Sequence, residues 1–311
     1  MRAFYGVGEV PDGWGESAVS IGKFDGVHAG HRAVIRELIG IAGRDGLTSV
    51  IVTFDRHPLA LLSPEDCPTA LVSTQQKLDL LAETGVDATL VLAFDEALSS
   101  LPPVDFVEGI LVRSLHARHV LVGADFRFGA RGAGTVETLR TLGERHGFVV
   151  HVIDDVRPDD ARRVSSTWIR ELLDAGDVVA AANLLGHVPA VRGVVVHGAA
   201  RGRQLGYPTA NLSPQSEGLI PADGVYAGWL VDGGVRYPAA VSVGNNPTFE
   251  DVPQKQVEAY VLDEDLDLYD HLVAVEFAER IRGMAAFSGI EPLVEQIRDD
   301  VERVRGILAE A

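Results

Sequence analysis

The sequence predicts an α/β domain built on a Rossmann-like parallel sheet, followed by a small antiparallel β-barrel domain with a C-terminal helix. Three observations carry that prediction. In the first half, short β-branched runs alternate with amphipathic helical patterns, and strands that alternate with helices pair in parallel. Between Leu185 and Pro189 the texture changes to strands separated by Gly, Pro and Asn, which divides the chain into domains 1–186 and 187–311. Finally, Leu293, Ile297, Val301, Val304 and Leu308, spaced by fours and a three, form one apolar stripe of a closing helix that packs on the barrel.

The expected strands of the first domain are "AVSIGKF" (18–24), "TSVIVTF" (48–54), "ATLVLAF" (88–94), "HVLVG" (119–123) and "FVVHVID" (148–154). Between them "HRAVIRELIGIA" sets Val34, Ile35, Leu38, Ile39 and Ala42 on one helical face, and "STQQKLDLLAETG" opens with Ser73 and Gln76 at capping-box spacing. "VDFVEGILVRSL" and "TVETLRTLGERHG" supply two further helices. "SSTWIRELLDAGDVVAAANLLGH" (165–187) reads as two short helices broken at Gly176-Asp177. Beyond it lie the strands "GVVVHG", "GVYAGWLVDGGVRYPAAVSVG", "QVEAYVLD" and "HLVAVEFAERI", with Gly233-Gly234 as a hairpin signal.

Composition excludes several classes. Hydrophobic residues at 46% and charged residues at 23% describe a chain able to build packed cores. The net charge of −18 opposes a protein that grips nucleic acid through its phosphates, which needs a basic surface. Any phosphate chemistry must be local. The single cysteine, Cys67, forms no internal disulfide and reads as an inert small residue of a reducing compartment. No apolar leader opens the chain and no run approaches the roughly 18 apolar residues of a membrane span, so a cytoplasmic protein without membrane partners is expected.

In open parallel sheets, ligands sit at the carboxyl ends of the strands, where "FDGVHAGH", "FDRHP" and "GADFRFG" all fall. In "GKFDGVHAGH" (22–31) a strand, a glycine turn and a helix start coincide. A helix N-terminus carries unpaired N–H groups and partial positive charge, and His28 and His31 add donors at its entrance. Gly26 and Gly30 let the backbone approach closely. Two other readings stand beside phosphate handling. A zinc pair needs at least one further ligand, and although His57 exists, no cluster of recognisable spacing accompanies it; the two histidines could also be unrelated surface groups.

"GKFDGVHAGH" resembles the GxFDGVHxGH signature of the HxGH nucleotidylyltransferases, in particular the bacterial bifunctional riboflavin kinase/FMN adenylyltransferases. "TFDRHP" (53–58), "GADFRFG" (123–129) and "VSSTWIR" (164–170) resemble, in order, further blocks of the adenylylating domain. The resemblance implies that Gly22, Phe24, Asp25, Gly26, His28 and His31 bind ATP, with Ser166, Thr167 and Arg170 closing over its phosphates. It makes His28, His31 and Arg170 catalytic. Hydroxyls and an arginine at a second helix start are anion ligands on physical grounds too, although Ser165 or Ser166 could simply cap that helix. Phe54, His57, Pro58, Asp125 and Phe128 combine flat apolar surface with polar edge, as a flavin ring requires. Aromatics at strand ends are equally ordinary core, Phe128 included. Many relatives carry Asn where this chain has Asp125.

In "GRQLGYPTANL" (202–212), the period of a strand puts Thr209 and Asn211 on one face. A hydroxyl and an amide oxygen pointing together suit Mg²⁺ on nucleotide phosphates, because that ion takes few protein ligands; edge residues making turns would look the same. The preceding glycine-rich loop can wrap phosphates with backbone N–H groups. This block, "GVYAG" (224–228), "AVSVGNNPTFE" (240–250), "VEAYVLD" (257–263) and "IRGMAAF" (281–287) resemble, in order, the riboflavin kinase domain. The resemblance implies nucleotide contacts at Gly198, Gly202, Gly206, Thr209 and Asn211, with Mg²⁺ on the last two. It implies flavin contacts at Asn246, Glu258, Arg282, Met284 and Phe287, with Glu258 as catalytic base. A solvent-facing strand residue is the plain alternative for Glu258. Two departures stand in "LDEDLDLYDHL": Glu264 where the family usually shows an aromatic, and Asp270 where it usually shows glycine.

The function so implied is ATP-dependent phosphorylation of riboflavin to FMN, then adenylylation of FMN to FAD with release of pyrophosphate. The expected partners are riboflavin, FMN, FAD and ATP, with self-association weak at most. A flavin carrier that consumes no ATP, and a nucleotidylyltransferase for another phosphate ester, are the competing classes. The second leaves the barrel without a purpose.

Overall fold

The computed structural model describes residues 1–154, 157, 162–198, 202, 205–244 and 255–310. The chain divides into two compact units, Met1–Ser165 and Ser166–Ala311.

The first unit is a six-stranded, all-parallel sheet in the order β1-β4-β3-β2-β5-β6, with β1 Arg2–Tyr5, β2 Ser17–Ile21, β3 Thr48–Phe54, β4 Ala88–Leu92, β5 Ala117–Gly123 and β6 Val149–Ile153. Five strands lie where the alternation predicts them. β1 was not expected: four residues carry too short a pattern, and it exists by pairing Arg2–Tyr5 with Ala88–Val91. Successive side chains point to opposite faces, so Val19, Val50, Leu90 and Val120 pack on one side of the sheet, while Ala18, Ile51 and Leu121 pack on the other.

That second side is covered by α1 (Ala29–Asp45) through Ile35, Leu38, Ile41 and Ala42. Ile41 is buried where the stripe named Ile39, which only borders the cluster. α2 (Leu59–Leu62) is one turn, and α3 (Thr74–Ala82) begins with the expected capping box, Gln76 N–H on Ser73 Oγ at 3.2 Å and Ser73 N–H on Gln76 Oε1 at 2.9 Å. α4 (Glu96–Ser99) and α5 (Pro103–Phe106) follow, α5 running into a π-helical stretch, Val107–Ser114, before α6 (Val136–His146). The chain leaves β2 for β3 on one side and returns to β5 on the other. The crevice at the carboxyl ends of these strands is therefore a topological switch point.

The second unit opens with α7 (Ser166–Ala175) and α8 (Val178–Leu185), the two short helices expected there. They pack with the barrel rather than apart from it. Arg280 Nη1 donates to Ala175 O at 3.3 Å, and Ala222 N–H to Leu173 O at 2.9 Å. The barrel closes in the order β10-β11-β8-β7-β12-β9, from β7 Ala190–Val196, β8 Ala210–Leu212, β9 Gly224–Asp232, β10 Val235–Gly244, β11 Gln256–Val261 and β12 Leu272–Arg282. Every neighbouring pair is antiparallel. Gly233 and Gly234 join β9 to β10 with φ of 56° and 84°, the double left-handed turn that matches the twist of a hairpin. Closure removes the unpaired edges that a sheet this small would expose.

The closing helix, α9 (Ile290–Ala309), lays Val301 and Val304 on Val225, Ala227, Leu262 and Ile281, with Ile297 and Leu308 at the margin. Hydrophobic contact is joined by one charged tie. Arg282 Nε lies 3.0 Å from both carboxylate oxygens of Asp300, and its Nη2 lies 2.6 Å from Oδ2. The Asp300 side chain is only 8% exposed. Removing one partner of such a pair strands the other in low dielectric. Asp300→Ala is expected to destabilise the C-terminal unit by about 3 kcal/mol, with Asp300→Asn costing less, as read from urea unfolding followed by circular dichroism.

Candidate functional site

The first site is built on an unusual turn. β2 ends at Ile21, and residues 24–28 must reverse into α1 over a short distance. Phe24, Gly26 and Val27 take φ of 50°, 79° and 41°. Left-handed backbone in two bulky side chains is costly, and burial holds it, for Phe24 is 2% exposed and Val27 fully enclosed. The turn delivers His28 to the N-cap of α1, where a Ser or Asp would be ordinary. There the imidazole itself caps the helix, with His31 N–H donating to His28 Nδ1 at 3.3 Å. A Cβ at position 30 would fall 3.1 Å from the His28 ring, so Gly30 leaves the room this fold-back needs.

Capping decides the tautomer. With Nδ1 an acceptor, the neutral ring of His28 holds its proton on Nε2. Burial pushes His28 down to about 4, so the ring is neutral at physiological pH. His31 is held well below the usual histidine range by burial, then by His28, Lys23 and Lys77. The two rings stack face to face, 3.6 Å between centroids at 15°, with Phe24 tilted against His31 at 5.0 Å. Stacked rings do not converge their nitrogens on one ion, which disfavours the zinc reading. His31 Nδ1 is enclosed without a hydrogen-bond partner among the described residues.

Around this turn stand the other expected groups. Asp25 Oδ1 accepts from Leu71 N–H at 2.9 Å. His57 Nδ1 accepts from Leu59 N–H at 3.1 Å, which places its proton on Nε2, and that atom lies 3.3 Å from Lys23 Nζ. Two donors this close, 3.3 Å apart, suit an anion bound beside both. Lys23 was not singled out in the sequence, because its neighbour across 34 residues is a product of the fold. Pro58 caps α2, and Gly22 donates its N–H to Val52 O at 3.0 Å as β2 ends. The carbonyl of Val164 lies 3.9 Å from a Cβ built on Gly30, so the segment leading to Ser166 passes the histidine turn. Ser166, Thr167 and Arg170 themselves occupy the first turns of α7.

Of the aromatics expected to meet a flavin, Phe54 makes an edge contact with Phe94 at 5.4 Å between centroids, at the border of the core. Phe128 is 6% exposed, packed among Phe106 and Phe126, and a Cβ on Gly134 would fall 2.7 Å from its ring. It is core. Phe126 is the aromatic that lines an open cavity of about 470 Å³ at the end of β5, together with Asp125, Arg127 and Arg140. Asp125 Oδ2 pairs with Arg163 Nη1 at 3.1 Å, a partner 38 residues away that the sequence did not disclose.

The second site lies on the barrel. Thr209 and Asn211 share one face, as the strand period predicted, and the antiparallel pairing of β8 with β11 sets Glu258 opposite Asn211. Thr209 Oγ1 donates to Glu258 Oε2 at 3.3 Å, and Asn211 Nδ2 to Thr209 O at 3.0 Å. A Cβ at position 198 would overlap the Asn211 amide, so Gly198 makes the space for that side chain. Tyr207 N–H donates to Gly202 O at 2.8 Å, and Gly206 takes φ of 86°. Hydroxyl, amide and carboxylate oxygens are hard donors, so this set fits Mg²⁺.

Met284 packs against Gly244, its Cε 3.3 Å from a Cβ built there, two residues along β10 from Ser242, the other cross-strand partner of Glu258. Phe287 lies under the Arg282 guanidinium at 5.9 Å, while Arg282 itself is tied to Asp300. Asn246 lies outside the described residues. A small cavity of about 60 Å³ is lined by Thr209, Glu264, Asp265 and Tyr269, and the Tyr269 ring lies tilted against His197 with centroids 3.9 Å apart. Asp270 takes φ of 65°, the left-handed conformation for which glycine is the usual solution and Asp a tolerated one.

Comparison with known proteins follows the same division. The chain matches the family described as FAD synthetase over residues 11–168 and the family described as riboflavin kinase over residues 185–308. It is 37% identical over 290 residues to the bifunctional riboflavin kinase/FMN adenylyltransferase of Pseudomonas fluorescens, covering 93% of this chain and 92% of that one. The proteins so described from Listeria monocytogenes and Escherichia coli K12 are 35% and 34% identical over 94% and 96% of this chain, and over 92% and 95% of their own lengths. A crystal structure from Streptococcus pneumoniae, described as a macrolide-efflux protein, superposes with a TM-score of 0.88 at 31% identity, covering 98% of this chain and 99% of that one. In this chain no helix among the described residues is long and apolar enough to cross a membrane. With two family matches in tandem and relatives of one description covered over more than nine-tenths of their length, the chain belongs to the bifunctional riboflavin kinase/FMN adenylyltransferase family.

Proposed function

We propose that the chain converts riboflavin and ATP to FMN and ADP on its barrel, and FMN and ATP to FAD and pyrophosphate at the switch point of its parallel sheet. The observation that carries this reading is the contrast between the sites: one presents neutral histidines at a helix start, the other a carboxylate hydrogen-bonded to a threonine hydroxyl. The functional boundary is placed near residue 186, so that α7, with Ser166, Thr167 and Arg170 as phosphate ligands, serves the adenylylating activity. The solvent environment that fits one unpaired cysteine and ATP chemistry is the cytoplasm.

On the barrel, the ribityl 5′-hydroxyl is nearly as weak an acid as water and must lose a proton as it attacks the γ-phosphorus. Glu258 accepts that proton, and the Thr209 hydroxyl orients its Oε2. Thr209 and Asn211 would hold Mg²⁺, which when bound neutralises charge on the nucleotide phosphates. Phe287 and Met284 supply apolar surface for the flavin, and Arg282 positions Phe287 rather than reaching the ring. At the other site the nucleophile is the FMN phosphate, whose charge of about −1.5 to −2 makes a base unnecessary. An oxygen of that phosphate forms the new bond to the α-phosphorus, and the bond to pyrophosphate breaks. His28 Nε2–H and the α1 N-terminus donate to charge that gathers on the leaving group. His57 and Lys23 receive an anionic group beside them, and the Phe126 cavity is the flavin's surface at this site.

Glu258→Gln is expected to abolish FMN formation from riboflavin while leaving added FMN convertible to FAD, as resolved by chromatography of the products. Riboflavin phosphorylation at the original rate would refute the base. Asn211→Ala and Thr209→Val should raise the Mg²⁺ concentration that half-saturates the kinase reaction without altering FAD formation from FMN, read from magnesium titrations of each rate. For the histidine turn, His28→Asn separates two roles. Asn is a good N-cap, so the melting temperature should hold, whereas loss of the Nε2–H donor should slow FAD formation by about 100-fold or more. An Asn variant of normal adenylylating activity would show that the ring only caps the helix.

A further inference from the structure

Lys77 stands on α3, and neither reaction above uses it. Lys77 is 8% exposed, yet it ends in an ammonium whose acceptors among the described residues include no carboxylate. Burying a charge this way is costly unless its donors are satisfied. They are satisfied in a particular place. The ammonium donates to Phe54 O at 2.7 Å, Thr53 Oγ1 at 3.2 Å and Lys23 O at 3.4 Å, and the Thr53 hydroxyl also donates to Lys23 O at 3.0 Å.

Each acceptor lies where β2 and β3 stop pairing. The last register pair is Ile21 with Val52, followed by Gly22 N–H on Val52 O. Beyond it the strands must part to form two turns. Lys23 opens the turn that delivers His28 and His31, and Phe54 opens the turn that delivers His57. A single cation from α3 fills the fork between them. Asp25 and Asp55 favour the charged ammonium from a distance, their Oδ1 atoms occupied by the N–H groups of Leu71 and Phe94 at 2.9 Å each. Lys23, His28, His31, Arg56 and His57 are the other ionisable groups of these turns, and the charge of Lys77 helps keep His31 unprotonated.

We propose that Lys77 is a positioning residue of the adenylyl-transfer site, its ammonium setting the separation of the two turns that carry His28, His31 and His57. The inference rests on the assignment of that site to FAD formation. A displacement of about 1 Å at reacting groups can cost about 100-fold in rate, and Lys77→Met, similar in length and without charge, should lower kcat for FAD formation on that scale. Riboflavin phosphorylation by the same full-length protein should be unchanged.

The pH profile supplies a readout that a purely structural lysine would not move. Burial lowers Lys77 to about 8, so its charged form is lost as pH rises through that value. In the unmodified protein kcat for FAD formation should decline above about pH 8, and Lys77→Arg, which stays charged, should lack that decline. Normal FAD formation by Lys77→Met, or an unaltered alkaline decline in Lys77→Arg, overturns the proposal. Should Lys77→Met fail to fold, the comparison of Lys77→Arg with the unmodified protein decides. If the unmodified protein makes no FAD, or keeps its rate after both histidines are changed to alanine, the site assignment fails instead, and the two failures are distinguishable.

Discussion

The hydrogen bond from the His31 N–H to His28 Nδ1 is the constraint on which the histidine turn, the proposed adenylylating site, depends. It makes an imidazole serve as a helix cap, a task usually given to a hydroxyl or carboxylate. In return it fixes the ring's orientation and assigns its proton to Nε2. The left-handed backbone of Phe24 and Val27, the space above Gly30 and the stacking of His31 all serve to hold that arrangement. Burial then removes the option of protonation near neutral pH. The result is a donor whose charge does not vary where the enzyme works.

A chain of net charge −18 that handles three polyanionic molecules needs positive potential placed locally rather than spread over its surface. The structure supplies it at the end of one sheet. The α1 N-terminus, Lys23 and buried Lys77 gather around the β2–β3 fork, and among the described residues no carboxylate accepts from the Lys77 ammonium. Asp25 and Asp55 lie close by, but each spends an oxygen on a backbone N–H and so shapes the turn. The barrel solves a different problem. The reaction proposed there begins from a neutral alcohol, and the barrel presents a carboxylate, Glu258, whose Oε2 accepts from the Thr209 hydroxyl.

The barrel also ties a residue expected at the ligand into its own packing. Arg282 falls in a block that resembles the kinase family, yet its guanidinium is committed to Asp300 of α9. It thereby joins the closing helix to the segment that carries Met284 and Phe287. A similar displacement occurs in the first unit, where Phe128 belongs to the core and its neighbour Phe126 faces the cavity. The motif located the segment; packing chose which aromatic faces outward.

Strand and helix placement, the hairpin at Gly233-Gly234, the shared face of Thr209 and Asn211, and the junction of strand, turn and helix at His28 were all legible in the sequence. Each is a local property, set by side-chain periods of two or 3.6 and by turn chemistry within a few residues. Edge strand β1 was not legible, because its four residues become a strand only against β4. Tertiary structure alone decided that His28 caps its helix, that Lys23 faces His57 across 34 residues, and that Lys77 bridges to Lys23 across 54. Sequence spacing specifies which atoms are near along the chain. Tautomer, proton affinity and the partner of a buried charge are set by atoms that only folding brings within a few ångströms.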